Sequence, residues 1–394
     1  MRKTVSVVHA GDAAPPYSRM RSARMVVLCS LLFFALSALA QQGTGATGNG
    51  SNAALTSFDA PGAGTGAFQG TIAYSINTAG VIAGYYFDAT RMAHGFVRDA
   101  AGDFTTFDAQ GAGPNGTYPI SINASGAITG NYFDASNLQH GFVRAADGVI
   151  TTFDAPATGT GGPSAGTSPN SINTAGDIVG SYLDSSEVFH GFMRSASGTI
   201  TTFDAPGAGT TPGVLQGTFV YSINDQRLIA GFYTDASSVS HGFVRTTDGT
   251  ITSFDAPGAG TGANQGTQAY SINTAGVVAG WFYDGSDVAH GYVRSTNSSI
   301  ARFDGPGAGT KASQGTFASS IDGGGATVGW IFAASGDVLS FVRAAGGAIT
   351  SFQAPLGGTG DAQGTLAQSI IGTWAITGTY TDSSNVYHGF LVAR

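Results

Sequence analysis

Apolar residues alternate with polar or small ones over short runs along most of the chain, and each run stops at Gly, Asn, Asp or Ser. The first copy of the pattern contains four such runs: Ile72 to Asn77, Val81 to Asp88, His94 to Arg98 and Phe104 to Ala109. Runs of four to eight residues rich in Val, Ile, Tyr and Phe between turn-forming residues predict β-strands. Thr78-Ala79-Gly80 supplies the first turn, with glycine where a positive φ is expected. Apolar positions fall on both faces, with Ile82, Tyr86, Phe96 and Phe104 on one and Val81, Phe87, Val97 and Phe107 on the other. A sheet apolar on both sides must be covered on both sides. No helical periodicity of useful length follows the N-terminal region.

The four-strand pattern then repeats. The Phe of a Phe-Asp-Ala-Pro box falls at 58, 107, 153, 203, 254, 303 and 352, a period of 46 to 51 residues. Ser75-Ile76-Asn77 and His94-Gly95-Phe96-Val97-Arg98 recur with it in fixed order. That period with four antiparallel strands describes a propeller blade. The last copy ends at Arg394 after its third strand, and the first Phe-Asp-Ala-Pro box, in Leu55 to Pro61, precedes any first strand. The N-terminal segment can therefore serve as the missing outer strand and leave no exposed sheet edge. The expected fold is all-β: a seven-bladed β-propeller over 55–394, closed by an N-terminal outer strand completing the last blade. A solenoid would gain nothing from this split.

Residues 1–40 read differently. Arg19, Arg21 and Arg24 precede an apolar run from Met25 to Ala40 that ends Ala38-Leu39-Ala40, the form of a secretory signal cleaved before Gln41. The run is too short for a confident membrane span. Translation could start at Met1 or Met20, and Leu28 before Cys29 is a poor lipoprotein match. Residues 41–54 are a Gly/Thr/Asn-rich lead-in. Cleavage leaves 354 residues without cysteine and eleven basic against 23 acidic side chains, a net charge of −12. Stability must then come from packing, and the charge argues against nucleic acid or an anionic membrane as partner.

Seven copies permit an internal comparison. Asp88, His94 and Asp108 are separated by six and then fourteen residues. The same spacing gives Asp134, His140 and Asp154; Asp184, His190 and Asp204; Asp235, His241 and Asp255; and Asp284, His290 and Asp304. The sixth copy has Ala333, Leu339 and Gln353, so all three changed together. The seventh has Asp382 and His388, and its third member can only be Asp59. A simple hairpin register pairs Asp88 with His94 and His94 with Asp108. The next rows are Tyr86, Phe96 and Thr106, then Gly84, Arg98 and Phe104. Both imidazole nitrogens would find acceptors, which favours a structural role. Three ligands without a fourth are a weak zinc signal, so no metal and no cofactor is expected.

The other motifs carry less chemistry. Pro61-Gly62-Ala63-Gly64-Thr65-Gly66 and its copies precede no helix, unlike a phosphate loop, and read as crossover loops. No Gly-x-Ser-x-Gly elbow, His-Glu-x-x-His or Cys/His cluster occurs, so no catalytic residue is assigned. The His-Gly-Phe tripeptides at His94, His140, His190, His241 and His388, with the Ser-Ile-Asn-x-x-Gly-x-Ile-x-Gly pattern of Ser75 to Gly84, resemble the HAF-type repeats of bacterial extracellular proteins. The sixth copy departs most, with Leu339-Ser340-Phe341. The resemblance implies an exported, propeller-like protein and brings no established activity.

Three functions follow in order of preference. The first is a secreted or periplasmic, monomeric binding module for glycan, cell-wall polymer or protein, with repeated weak sites on the loop face. Trp281 and Trp330 could stack on sugars or, with greater weight, pack in the core. The second is a structural or surface-display protein. The third is a hydrolase or lyase at the central mouth, for which residues that break the repeat are candidates: Glu187, Asp225, Arg227, Arg302 and Lys311.

Overall fold

The computed structural model describes residues 54–393 except 157, 160–165, 215, 373 and 374. The expected leader, 1–40, and lead-in up to residue 53 lie outside the described residues. Among those described there are 28 strands and no helix, so the all-β expectation holds. Strand β1 is Ala54–Phe58, β2 Gly70–Ile76, β3 Ile82–Phe87, β4 Ala93–Arg98 and β5 Phe104–Phe107. Strands β2 to β5 form an antiparallel meander, each paired with the next in sequence. The arrangement recurs along the chain to β26 (Gly364–Ile371), β27 (Ala375–Thr381) and β28 (Tyr387–Ala393). The outer partner of β28 is β1, antiparallel, with Leu55 opposite Val392 and Ser57 opposite Phe390.

One expected register is corrected. His94 stands opposite Tyr86 rather than Asp88, Phe96 opposite Gly84, and Arg98 opposite Ile82. The ladder gives way to a tight turn in which the Asp88 N–H donates to Met92 O at 3.0 Å and Arg91 adopts φ 67°. A slip of two residues preserves the face on which every side chain lies. The β4–β5 register, with Phe96 opposite Thr106 and Arg98 opposite Phe104, is as expected.

Each unit packs face to face on the next. Ile82, Tyr86, Phe96 and Phe104 share a core with Phe58, Ala60 and Leu391. Val81, Val97 and Phe107 pack against Ile122, Ile128 and Phe142 of the following unit. The repeated arginine reinforces the contact. Arg98 lies over Phe58 at 4.8 Å, Arg144 over Phe107 at 4.9 Å and Arg245 over Phe203 at 4.6 Å, each ring belonging to the outer strand of the unit before. Such a contact is worth about 0.5–2 kcal/mol, more when desolvated.

The first strand of every unit touches its counterparts in the neighbouring units, and β2 touches β26. The Ser-Ile-Asn box makes this contact specific. Ser75 Oγ accepts the Ile122 N–H at 3.3 Å, Ser222 Oγ accepts Ile272 N–H at 3.2 Å, and Ser369 Oγ accepts Ile76 N–H at 3.4 Å. Asn77 Oδ1 fixes the following turn by accepting the Ala79 and Val81 N–H groups, while its amide donates to Asn123 O in the next unit at 3.0 Å. Just before each such serine the register slips by one residue, leaving Tyr74, Ile120, Asn170, Tyr221, Tyr270, Ser319 and Gln368 outside the ladder.

Candidate functional site

The strand–turn–strand of β3 and β4 assembles the repeated Asp–His–Asp row. Asp88 sits where β3 ends, and its Oδ1 accepts N–H bonds from Thr90 at 2.8 Å and Met92 at 2.9 Å. That leaves Oδ2 facing His94 Nε2 at 3.6 Å, while His94 Nδ1 meets Asp108 at 2.9 Å. The imidazole stacks on Tyr86, with centroids 5.1 Å apart. Both ring nitrogens thus face a carboxylate of the same unit, Nδ1 within hydrogen-bond distance.

The other rows repeat this geometry. His140 lies 2.9 Å from Asp154 and 3.5 Å from Asp134; His190 lies 2.9 Å from Asp204 and 3.4 Å from Asp184. His241 lies 3.0 Å from Asp255 and 3.6 Å from Asp235; His290 lies 2.6 Å from Asp304 and 3.4 Å from Asp284. His388 lies 3.0 Å from Asp59 and 3.6 Å from Asp382, so this row draws on both ends of the chain. In the sixth unit Ile331 faces Leu339 where the tyrosine and histidine would be, and both pack into an apolar cluster. Gln353 instead donates to Gly358 O at 3.0 Å.

The row biases protonation. His190 is raised above its ordinary 6.5 chiefly by its hydrogen bond to Asp204, and His388 by its bond to Asp59. Asp134 is lowered below 3.8, first by the Leu138 N–H that donates to it. No group of three or more His, Cys, Asp or Glu suited to a metal ion occurs among the described residues.

The repeat-breaking charges do not converge. Arg227 Nε donates to Asp177 at 2.7 Å, Asp177 being fully buried, and Asp225 accepts from the Thr174 N–H at 2.8 Å. These two fasten the third unit to the fourth. Arg302 pairs with Asp304 at 3.3 Å, whereas Glu187 sits in an exposed turn of the third unit and Lys311 in the exposed loop that leads from the fifth unit to the sixth. Asp177 was not legible as a partner, because fifty residues separate it from Arg227 and neither recurs in the other copies.

The aromatic variants lie on the inner half of each unit. Trp281 and Trp330 are buried at 1% and 8% exposure with Phe317 between them and Leu366 beyond. Tyr270 stacks on Trp281 at 3.8 Å and meets Tyr221 at 4.2 Å, and Tyr221 stacks in turn on Phe232 at 5.6 Å. Tyr221 and Tyr270 are half-buried. The ladder therefore runs from the covered interior to a partly open inner strand, which the loop-face expectation missed.

Successive four-stranded antiparallel units stacked face to face, with their first strands innermost, define the β-propeller class. The chain is similar in fold to the BP39L lectin from Burkholderia pseudomallei: 9% identity, 82% of this chain and 98% of that one covered, TM-score 0.50. Similarity to the fungal lectin of Aleuria aurantia, described as a six-bladed β-propeller with a novel fucose recognition mode, is looser, at 14% identity, 71% and 92% coverage and TM-score 0.43. AofleA from Arthrobotrys oligospora stands at 12% identity, 71% and 86% coverage and TM-score 0.46. No protein-family model matches the chain, and no curated protein sequence does.

Proposed function

We propose that the chain is an exported, monomeric glycan-binding protein built as a closed seven-bladed β-propeller of HAF-type repeats. Closure is supported by the contacts between the two ends: β1 on the outer edge of β28, a parallel bridge between Gly70 and Tyr387, and the Ile76 N–H on Ser369. Export is supported by the leader's composition, a cysteine-free remainder and a surface almost without lysine and glutamate. The likeness in fold to a lectin is in keeping with glycan as ligand.

The observation that carries the binding reading is the chemistry of the positions that differ between units. On the innermost strand the residue left outside the ladder varies from unit to unit, and Tyr74, Asn170, Tyr221, Tyr270, Ser319 and Gln368 are half-buried there. These are aromatic, amide and hydroxyl groups without charge, suited to a neutral polyhydroxylated ligand that has both apolar and hydrogen-bonding faces. The charged residues that break the repeat are either scattered or pinned in ion pairs, which leaves acid–base catalysis without a constellation. The repeated Asp–His–Asp rows act as struts.

Thermal unfolding of the processed protein across a saccharide panel tests this. A ligand held only by the folded state at 100 times its dissociation constant adds about 2.7 kcal/mol, and the melting temperature should rise. The processed N-terminus should be Gln41 by mass spectrometry. A flat saccharide panel alongside a shift with a purified protein partner would move the assignment from glycan to protein; no shift with either would favour a display role.

A further inference from the structure

The residues left outside the ladder on the innermost strands form an element that the blade repeat does not need. Six of these seven positions are half-buried, at Tyr74, Asn170, Tyr221, Tyr270, Ser319 and Gln368. Their side chains reach along the inner strands: Asn170 Nδ2 donates to Val220 O at 2.8 Å and Ser319 Oγ to Ala367 O at 2.9 Å, each in the next unit. The Asn170 bond fixes the carboxamide and leaves its oxygen as an acceptor. On one arc the collar is aromatic, where Tyr221 and Tyr270 are backed by Phe232 and Trp281. Asn170, Ser319 and Gln368 supply amide and hydroxyl groups, and Tyr74 and Ile120 complete the seven positions. No member is charged.

A second observation points to the same place. The second-strand position that touches the collar, shown by the Tyr221–Phe232 and Tyr270–Trp281 stacks, carries three deeply buried donors without a protein partner. They are Asn131 Nδ2, Trp281 Nε1 and Thr379 Oγ1; their residues are 4%, 1% and 5% exposed. A buried donor left unpaired costs about 1–3 kcal/mol. Trp281 lies directly on Tyr270, while Asn131 and Thr379 hold the same position in the second and seventh units.

Resting on the glycan-binding reading, we propose that the ligand site is axial. One neutral saccharide per chain stacks on Tyr221, which ends the Trp281–Tyr270–Tyr221 column, and is hydrogen-bonded by neutral collar groups that include Asn170 and Gln368. An aromatic face held in place by packing accepts the apolar face of a pyranose at little cost in side-chain entropy. The site is thus single, although the blades are repeated.

Titration of the processed protein with glucose, galactose, mannose, fucose, N-acetylglucosamine and their short neutral oligomers tests this, read by calorimetry and tryptophan fluorescence. The expected result is about one site per chain, a change in tryptophan emission because Trp281 underlies the column, and at least a tenfold loss of affinity in Tyr221→Ala. Should that variant fail to fold, Tyr221→Phe should retain binding and Asn170→Ala should weaken it several-fold. Several equal sites, silent in tryptophan emission and indifferent to Tyr221→Ala and Asn170→Ala, would overturn the axial site while leaving glycan binding intact. No binding by any saccharide would remove both.

Discussion

Two glycines of neighbouring units show how differently a single methyl group can fall. A Cβ on Gly231 would lie on the Phe219 carbonyl oxygen, part of the backbone ladder that cannot withdraw. On Gly191 it would meet Val220 Cγ2 at 2.8 Å and the Phe203 ring at 2.9 Å, both side chains. The sixth unit already carries Ser340 at the second position, with its hydroxyl donating to Thr365 O at 2.9 Å. Gly231→Ala is expected to cost about 3 kcal/mol or more and Gly191→Ala about 1 kcal/mol, read as ranked losses in melting temperature. The Asp177–Arg227 pair gives a second test. Arg227→Ala strands a fully buried carboxylate and should cost about 2 kcal/mol, reduced from the fully buried case because Arg227 is half exposed. The pair should show coupling in a double-mutant cycle with Asp177→Asn.

At the scale of elements, all four strand types of the unit were legible from periodicity and turn residues, and so was the face on which each side chain lies. The β3–β4 register was not. Asp88 reads as the last residue of a strand, but its carboxylate is better satisfied by the Thr90 and Met92 N–H groups, so the ladder stops one residue earlier. The start of β2 was also missed, because Gly70, at φ 112°, pairs with Tyr387 near the far end of the sequence. The joint loss of three residues in the sixth copy marked the row as a unit; that Ile331 replaces the stacking tyrosine completes it. Grafting this alternative into the third unit, as Tyr182→Ile, Asp184→Ala, His190→Leu and Asp204→Gln, should yield a folded protein. Its pH profile should change in a defined way. A raised His190 contributes stability that is full below its unfolded value near 6.5 and is lost as pH rises through the folded value. A lowered Asp184 contributes stability above about 3.8 that is lost as pH falls through its folded value; hydrogen bonds from the Val188 and Ser186 N–H groups and from His190 outweigh the effect of burial there. The melting temperature of the unaltered protein should therefore peak between these pH values, and the graft should flatten both flanks. A graft that keeps the full pH profile would separate the row from stability.

For the whole molecule, the period of the Phe-Asp-Ala-Pro box announced the propeller class, and the split of the last unit announced the pairing of β1 with β28. The collar on the inner strands was not announced. Its members occupy one position in every copy but differ in identity, so they read as drift until the register slip at Tyr221 and Tyr270 sets them apart. The proposed closure rests on β1 against β28 and the neighbouring β2 contacts, so it predicts a large loss of stability when that strand goes. Removing residues 55–61 should lower the melting temperature far more than removing 41–53.

The most direct test of closure uses Thr56 and Leu391, which face each other across the β1–β28 pair. The sequence's one cysteine is Cys29, within the proposed leader, so a protein starting at Gln41 and carrying Thr56→Cys and Leu391→Cys has two thiols alone. Facing strand residues fall within the span a disulfide needs. The proposed closure predicts an intramolecular bond in nearly every molecule and a higher melting temperature in the oxidised than in the reduced form of the same variant. Two thiols that both react with an alkylating reagent in the folded protein, or that link only between molecules, would contradict it.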